Sequence, residues 1–238
     1  MEPFPGIVLS ELFCVWLKDE KALVTADLHL GIEGVAAADG AYFPKMQKPV
    51  IQKRLEAMLR RYRPELFVIA GDFKHNFGRN LVQEWNEVAA IYDFLSSRTE
   101  VALVRGNHDN YLKSIIADVP LPDFLNVGDA IIAHGHRDTE DVAKWKGPRL
   151  IAHEHPSLKL RDTVGARVAA PAFLFDEATR TLVLPALSPL AAGSDILRHE
   201  PLSPILGALD RRKLRAIAVL AHGLLDFGTV GGLESQQA

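Results

Sequence analysis

Cysteine is almost missing from this chain: Cys14 is the only one among 238 residues. A single thiol excludes a disulfide framework and every zinc site built on paired cysteines. It also fits a reducing compartment, so the cytoplasm is the expected location. No apolar run approaches the roughly 18 residues that a membrane span needs, and no membrane partner is expected. Met1-Glu2-Pro3-Phe4-Pro5 lacks the basic and apolar regions of a secretory leader. Charge of one sign is not in excess either. The net charge is −3, so a polyanion would have to be met by local patches or by metals. There is no internal repeat, low-complexity block or linker at which to cut, and residues 1–238 are expected to form one domain. At that length, with 48% hydrophobic and 24% charged residues, the core needs no staples.

What the chain does have is polarity at the ends of apolar runs. Val101-Ala102-Leu103-Val104 reads as a buried strand and runs directly into Arg105-Gly106-Asn107-His108-Asp109. Folding alone gives no reason to put an amide, an imidazole and a carboxylate at the mouth of a core strand. The pattern recurs. Residues 23–26 run into Asp27-Leu28-His29, residues 67–70 into Gly71-Asp72, residues 131–133 into His134-Gly135-His136, and residues 150–152 into His153-Glu154-His155. If these strands share a sheet, their polar ends converge on one site.

The segments between fit that arrangement. Ile7-Val8-Leu9 and residues 12–17 read as strands, and residues 31–47 as a loop with a short helix. Pro49 opens a helix with Ile51, Leu55, Met58 and Tyr62 on one face, ending before Pro64. Its other face carries Lys48, Lys53, Arg54, Arg60, Arg61 and Arg63 and reads as a solvated surface. Asn80 is placed as an N-cap, with Gln83 closing a capping box. The following helix is expected to bury Leu81, Trp85, Val88, Tyr92 and Leu95. Residues 124–127 and 130–133 read as strands, and 138–145 as a short helix capped by Asp138 or Thr139. Beyond residue 156 the pattern turns to hairpins, with an irregular excursion at 185–204 and a tail at 234–238 that is expected to be disordered. Strands alternating with helices, then antiparallel strands, argue for an α/β sandwich with mixed sheets.

Nine histidines are present, and all but His199 and His222 lie in or beside these strand ends. Asp27 and His29 are two apart, so an extended segment would point both to one face. His153 and His155 repeat the spacing. With Asp72, Asn107 and His134 the strand ends supply more oxygen and imidazole donors than one metal takes, which suggests two divalent metals sharing a carboxylate. Such donors suit Mn, Fe or Zn, with Mn the first expectation, and the lack of thiolate argues against structural zinc. Taken singly, Gly71-Asp72 is an ordinary turn and Asp27-Leu28-His29 a strand end. In this order, each after a strand, coincidence is a poor account of them.

Together these residues resemble the calcineurin-like metallophosphoesterases, whose pattern runs D-x-H, G-D, G-N-H-D/E, H and G-H-x-H. The match is Asp27-Leu28-His29, Gly71-Asp72, Gly106-Asn107-His108-Asp109, His134 and Ala152-His153-Glu154-His155, over roughly residues 20 to 156. Ala152 departs from the usual glycine. The resemblance implies a four-layer α/β/β/α sandwich with two mixed β-sheets. It implies one metal on Asp27, His29, Asp72 and His155, and a second on Asp72, Asn107, His134 and His153. It makes His108 the catalytic residue that does not ligate, oriented by Asp109. Leu30-Gly31 after the first motif, Phe73-Lys74-His75 after the second, Pro156 after the last and Leu224-Leu225-Asp226-Phe227-Gly228 resemble the small prokaryotic SbcD-related phosphoesterases. These include the ligase-associated DNA damage response endonuclease PdeM, which suggests a link to DNA repair. The chain leaves little room for the extra DNA-capping region of the long nucleases.

A paired-metal site of this kind hydrolyses a phosphoester by in-line attack of hydroxide that the metals generate near neutral pH. His108 would then give a proton to the leaving oxygen. Lys74, His75, Arg79 and Arg137 follow ligand motifs and are candidates for substrate contact. The leading expectation is a phosphodiesterase or nuclease acting on a phosphoester, with nucleic acid as a candidate substrate. The alternative is a phosphomonoesterase acting on nucleotides or phosphoproteins. A non-catalytic scaffold is the third reading, and it fits poorly with every ligand position and His108 being filled. These motifs do not encode oligomeric state, and a homo-oligomer is compatible with them.

Overall fold

The computed structural model describes residues 1–41, 43–161 and 167–237. A first sheet holds β1 (Ile7–Ser10), β2 (Cys14–Leu17), β3 (Ala22–Thr25), β4 (Leu66–Ala70) and β5 (Glu100–Val104), side by side in that order. The pairs β1·β2 and β2·β3 are antiparallel hairpins, whereas β3, β4 and β5 run parallel. Parallel neighbours need a crossover, supplied here by α2 (Gln47–Tyr62) and α3 (Val82–Ser96), with the shorter α1 (Ile32–Ala38) preceding them. After α4 (Leu112–Ile115) a second sheet begins with β6 (Phe124–Val127) and β7 (Ala130–Ala133). It continues past α5 (Glu140–Lys144) with β8 (Arg149–Ile151), β9 (Pro156–Arg161), β10 (Arg167–Asp176), β11 (Thr181–Val183) and β12 (Ser194–Asp195). Beyond α6 (Pro204–Gly207), β13 (Arg215–Leu220) and β14 (Gly223–Thr229) extend it, and α7 (Val230–Gln237) follows. Its order is β12-β9-β10-β11-β8-β7-β6, with β13 against β10 and β14, and the β11·β8 and β8·β7 pairs are parallel.

Alternation along the strands makes the layers. In β4, Val68 and Ala70 face the second sheet while Phe67 and Ile69 face α2 and α3. In β10, Phe173 and Phe175 face the first sheet while Ala172 and Leu174 face the helices outside. A period of two on both sheets therefore yields three apolar seams. One lies between the sheets. The second holds Ile51, Leu55 and Met58 of α2 with Val88, Ile91 and Leu95 of α3. The third holds Val142, Ile205, Leu206, Val230 and Leu233. The result is a four-layer α/β/β/α sandwich with two mixed sheets.

Four local expectations are corrected. Helix α3 is not capped by Asn80: Leu81 is the N-cap and makes no side-chain cap bond, and Asn80 Nδ2 donates instead to Tyr111 O and Ser114 Oγ. Its inward face is also turned, because Glu84 and Glu87 are buried with Val88, Ile91 and Leu95, while Trp85 is 43% exposed. The tail from Glu234 is helical as far as Gln237. Val230 and Leu233 enter the third seam, and Glu234 pairs with Arg211, so the segment has packing to set against its entropy. Ala238 lies outside the described residues. Helix α2 begins at Gln47, two residues before the proline, and stops at Arg63. On its basic side, Arg54 donates to the Leu187 carbonyl and lies over the Phe13 ring, and Arg61 pairs with Glu11. Among the described residues no helix is long and apolar enough to cross a membrane.

Candidate metal centre

The parallel strands deliver their C-terminal ends to one edge. Asp27 and His29 follow β3, Asp72 follows β4, Asn107 and His108 follow β5, His134 follows β7, and His153 and His155 follow β8. The two sheets are stitched together there, because His134 Nδ1 bonds the Ala70 carbonyl at 3.0 Å and His153 N donates to Asp27 Oδ2 at 3.2 Å. The convergence does not come from strand alternation. Asp27, His29, Asp72, His153 and His155 all have positive φ, between 46° and 69°. The left-handed region costs an L-residue roughly 1–2 kcal/mol, and such strain collects where the surroundings over-determine a functional geometry. Two glycines make room for it. A Cβ on Gly71 would lie 2.3 Å from His134 Nδ1, and one on Gly106 would lie 2.1 Å from Asp72 Oδ1.

Two clusters of ligand atoms result: Asp27, His29 and His155, and Asp72, His134 and His153. In the first, His29 Nε2 and His155 Nε2 are 3.2 Å apart, and Asp27 Oδ2 is 3.5 Å from His155 Nε2. In the second, His134 Nε2 lies 3.0 Å from Asn107 Oδ1 and 3.3 Å from Asp72 Oδ2. Asp72 Oδ2 is also 3.7 Å from His29 Nε2 and so stands between the two. With His134 Nδ1 donating to a carbonyl, Nε2 is the nitrogen turned to the oxygens of Asn107 and Asp72. Asp27 Oδ1 is buried with no hydrogen-bond partner. An orphaned carboxylate oxygen beside converging imidazoles is what a divalent cation satisfies, and oxygen mixed with imidazole suits one. The residues fit a pair of divalent metals.

Electrostatics agree. Burial works against the charged carboxylate of Asp72, but the His134 hydrogen bond and the surrounding imidazoles win and hold its pKa below the ordinary value. Burial disfavours charge on His134 too, yet the hydrogen bond and charge of Asp72, with Asp27 behind, raise its pKa to about 9. Burial lowers His29 to about 3 and His153 to about 4, so both are neutral and ready to ligate.

The other expected residues are placed less uniformly. His108 N donates to Asp72 Oδ1 at 2.9 Å, and its ring stands at right angles to that of His29, with centroids 4.7 Å apart. Asp109, expected to orient His108, does something else. Its Oδ2 accepts from Gly106 N at 2.8 Å and its Oδ1 from Phe73 N at 2.9 Å and Lys74 N at 3.3 Å, so it ties the two loops together. His75 Nδ1 lies 3.2 Å from His29 Nδ1, and His29, His75 and His108 form a third ligand-capable cluster. Lys74 is fully buried, its ammonium on the Asn76 carbonyl and 3.6 Å from Glu84 Oε2. Arg79 and Arg137 are exposed on the site loops.

Glu84 and Gln47 escaped sequence reasoning. Glu84 Oε1 accepts from His75 N at 2.9 Å and Asn76 N at 2.6 Å, fixing the loop behind Asp72. Gln47 Nε2 donates to the carbonyls of Leu28 and His29 at 3.1 and 2.8 Å. The available signal was spacing, since Glu84 and Glu87 fall in register with Val88, Ile91 and Leu95.

Among solved structures, the fold is similar to that of the Pseudomonas putida nuclease MPE. The TM-score is 0.63 at 22% identity, covering 90% of this chain and 92% of that one. The E. coli phosphoesterase Yfce covers 73% of this chain and 83% of its own, at 14% identity and a TM-score of 0.41. No curated protein matches this chain. The calcineurin-like phosphoesterase model matches residues 21–196, which take in every strand end from Asp27 to His155. The chain belongs to that family of metal-dependent phosphoesterases.

Proposed function

We propose that this site holds two divalent cations and hydrolyses phosphodiesters, with nucleic acid as the substrate class. The observation that carries the reading is the position of Asp72, whose Oδ2 is 3.7 Å from His29 Nε2 in one cluster and 3.3 Å from His134 Nε2 in the other. Asp27, His29 and His155 would complete the first cation's ligands, and Asn107, His134 and His153 the second's. Mn²⁺ suits these donors best, with Fe or Zn as alternatives. Bound there, the pair supplies Lewis acidity toward the phosphoryl oxygens and lowers the pKa of water. His108, held by its backbone to Asp72, gives the leaving oxygen a proton, a role worth roughly 10²–10⁴-fold. Arg79 and Arg137, exposed on the loops after Asp72 and His134, supply charge for phosphates flanking the scissile one. That charge favours diesters within a polynucleotide over an isolated monoester. The nuclease MPE shares the fold, and the residues after each motif resemble the SbcD-related phosphoesterases, PdeM among them. We read residues 1–238 as one domain.

The test is metal-stripped protein reconstituted with Mn²⁺ and assayed on bis(p-nitrophenyl) phosphate and p-nitrophenyl phosphate. Two metals per chain and a kcat/KM favouring the diester are expected. Preference for the monoester would turn the reading to a phosphomonoesterase, and no metal-stimulated turnover would remove it.

A further inference from the structure

Phe77 sits at the tip of the loop between Asp72 and α3. Its ring lies against that of His108, with centroids 3.6 Å apart and planes inclined by 35°, yet the residue is 51% exposed. The loop that carries it is fixed by polar side chains. Asn76 N donates to the buried Glu84, and Asn76 Oδ1 accepts from Gly78 N at 2.8 Å and Arg79 N at 3.3 Å, an Asx turn. Asn80 Nδ2 ties the far end to Tyr111 O and Ser114 Oγ. Ordering a loop costs conformational entropy, and this one holds a half-exposed aromatic beside a catalytic imidazole. Packing on His108 accounts for part of the ring only, and a leucine would cover His108 as well. An aromatic adds a π face.

We propose that Phe77 is a stacking platform for the nucleobase of the nucleoside that leaves when the diester is cleaved. The inference rests on the reading of this site as a phosphodiesterase with His108 at the leaving oxygen. A ring packed on His108 is beside whatever His108 protonates, so the leaving side is the side it serves. Arg79, on the same Asx turn, is then placed for the next phosphate of that strand. Stacking on an aromatic side chain tolerates any base, because every base has a π face, and its loss weakens binding roughly five- to hundredfold. The enzyme therefore distinguishes nucleoside from plain alkyl leaving groups without reading sequence.

The test uses Mn²⁺-loaded protein and three dinucleotides: thymidylyl-thymidine, and the same molecule with the base on one or the other sugar replaced by hydrogen. Product masses identify the nucleoside that leaves. In the natural protein, kcat/KM is expected to fall roughly five- to hundredfold when the leaving side lacks its base. Phe77→Leu should abolish that preference and Phe77→Trp should keep it. An unchanged preference in Phe77→Leu, an equal loss on all three substrates, or failure of Phe77→Trp to keep the preference would overturn the proposal. If the natural protein cleaves all three without preference, only the platform fails. If it cleaves none, the phosphodiesterase reading fails with it.

Discussion

The Nδ1 of His108 donates to the carbonyl oxygen of His75, which leaves its Nε2 on the side of the site, 3.8 Å from Asp72 Oδ2. A carbonyl partner fixes the ring's orientation and commits one nitrogen, so any proton the ring gives up comes from Nε2. His75 is itself held through its amide by Leu30 O and by Glu84. The His108 imidazole is thus oriented from α3, through the loop after β4.

His108→Ala should keep both metals and lose roughly 10²–10⁴-fold in kcat on esters with poor leaving groups. The loss should be smaller on a p-nitrophenyl ester, whose leaving group needs no proton. Metal analysis beside the two rate measurements checks this. A variant that loses a metal, or that turns over an alkyl ester unimpaired, would show that His108 has another role.

Glu84→Gln should destabilise the fold by about 3–5 kcal/mol, because it leaves the fully buried Lys74 ammonium without its counter-charge. The double variant Lys74→Met, Glu84→Gln should recover much of that loss. Denaturant midpoints at constant m-value read both. Equal destabilisation by the double variant would mean that the loop bonds, not the ion pair, carry the effect.

The motifs and strands were legible because they are local. An apolar run followed by Asp or His needs no knowledge of distant residues, and β6 and β7 fall where the sequence places them, at residues 124–127 and 130–133. Geometry that depends on a partner far along the chain was not legible. Asp27 and His29 converge through positive φ, not an extended segment, and that conformation is imposed by bonds to the backbone of residues 71 and 72. Asp109 looks like an orienting carboxylate beside His108, but its acceptors are taken by amides of two loops that sequence cannot bring together. Glu84 and Glu87 acquire their roles only from donors in the loops after β3 and β4. The helix at the C-terminus is hidden for the same reason, since Val230 and Leu233 find their apolar seam only in three dimensions.

Metal binding should release protons at neutral pH. The folded-state pKa of His134 is raised to about 9, and that of His155 is raised too, burial in each case being outweighed by Asp72 or Asp27. At about 9, His134 holds its proton at pH 7.5 in the metal-free fold, and a cation must displace it to reach the lone pair. Apparent Mn²⁺ affinity should therefore climb with pH and level off near 9, and activity at limiting metal should collapse by pH 5. His29 and His153, lowered to about 3 and about 4, contribute nothing over that window. Calorimetry in two buffers of different ionisation enthalpy should report about one proton released per chain at pH 7.5, that of His134. Release of none would remove His134 from the ligand set.

Asp72 should be the least replaceable of the ligands. Its Oδ1 is held by the His108 amide at 2.9 Å, so Oδ2 is the atom left facing both clusters. Two dications bound about 3.5–4 Å apart would repel each other strongly, and Asp72, which faces both clusters, would be the carboxylate to offset that charge. Asp72→Asn keeps the shape but removes that charge, and its amide can turn a donor toward the imidazoles. Asn107→Ala removes only a neutral oxygen from one side. Asp72→Asn is therefore expected to hold at most one metal per chain and to be nearly inactive at any Mn²⁺ concentration, whereas Asn107→Ala should regain part of its activity in excess Mn²⁺. Elemental analysis together with activity titrated against Mn²⁺ separates the two. Two tightly held metals in Asp72→Asn would place the shared carboxylate elsewhere, with Asp27, whose Oδ1 is 3.6 Å from His134 Nδ1, the next to examine.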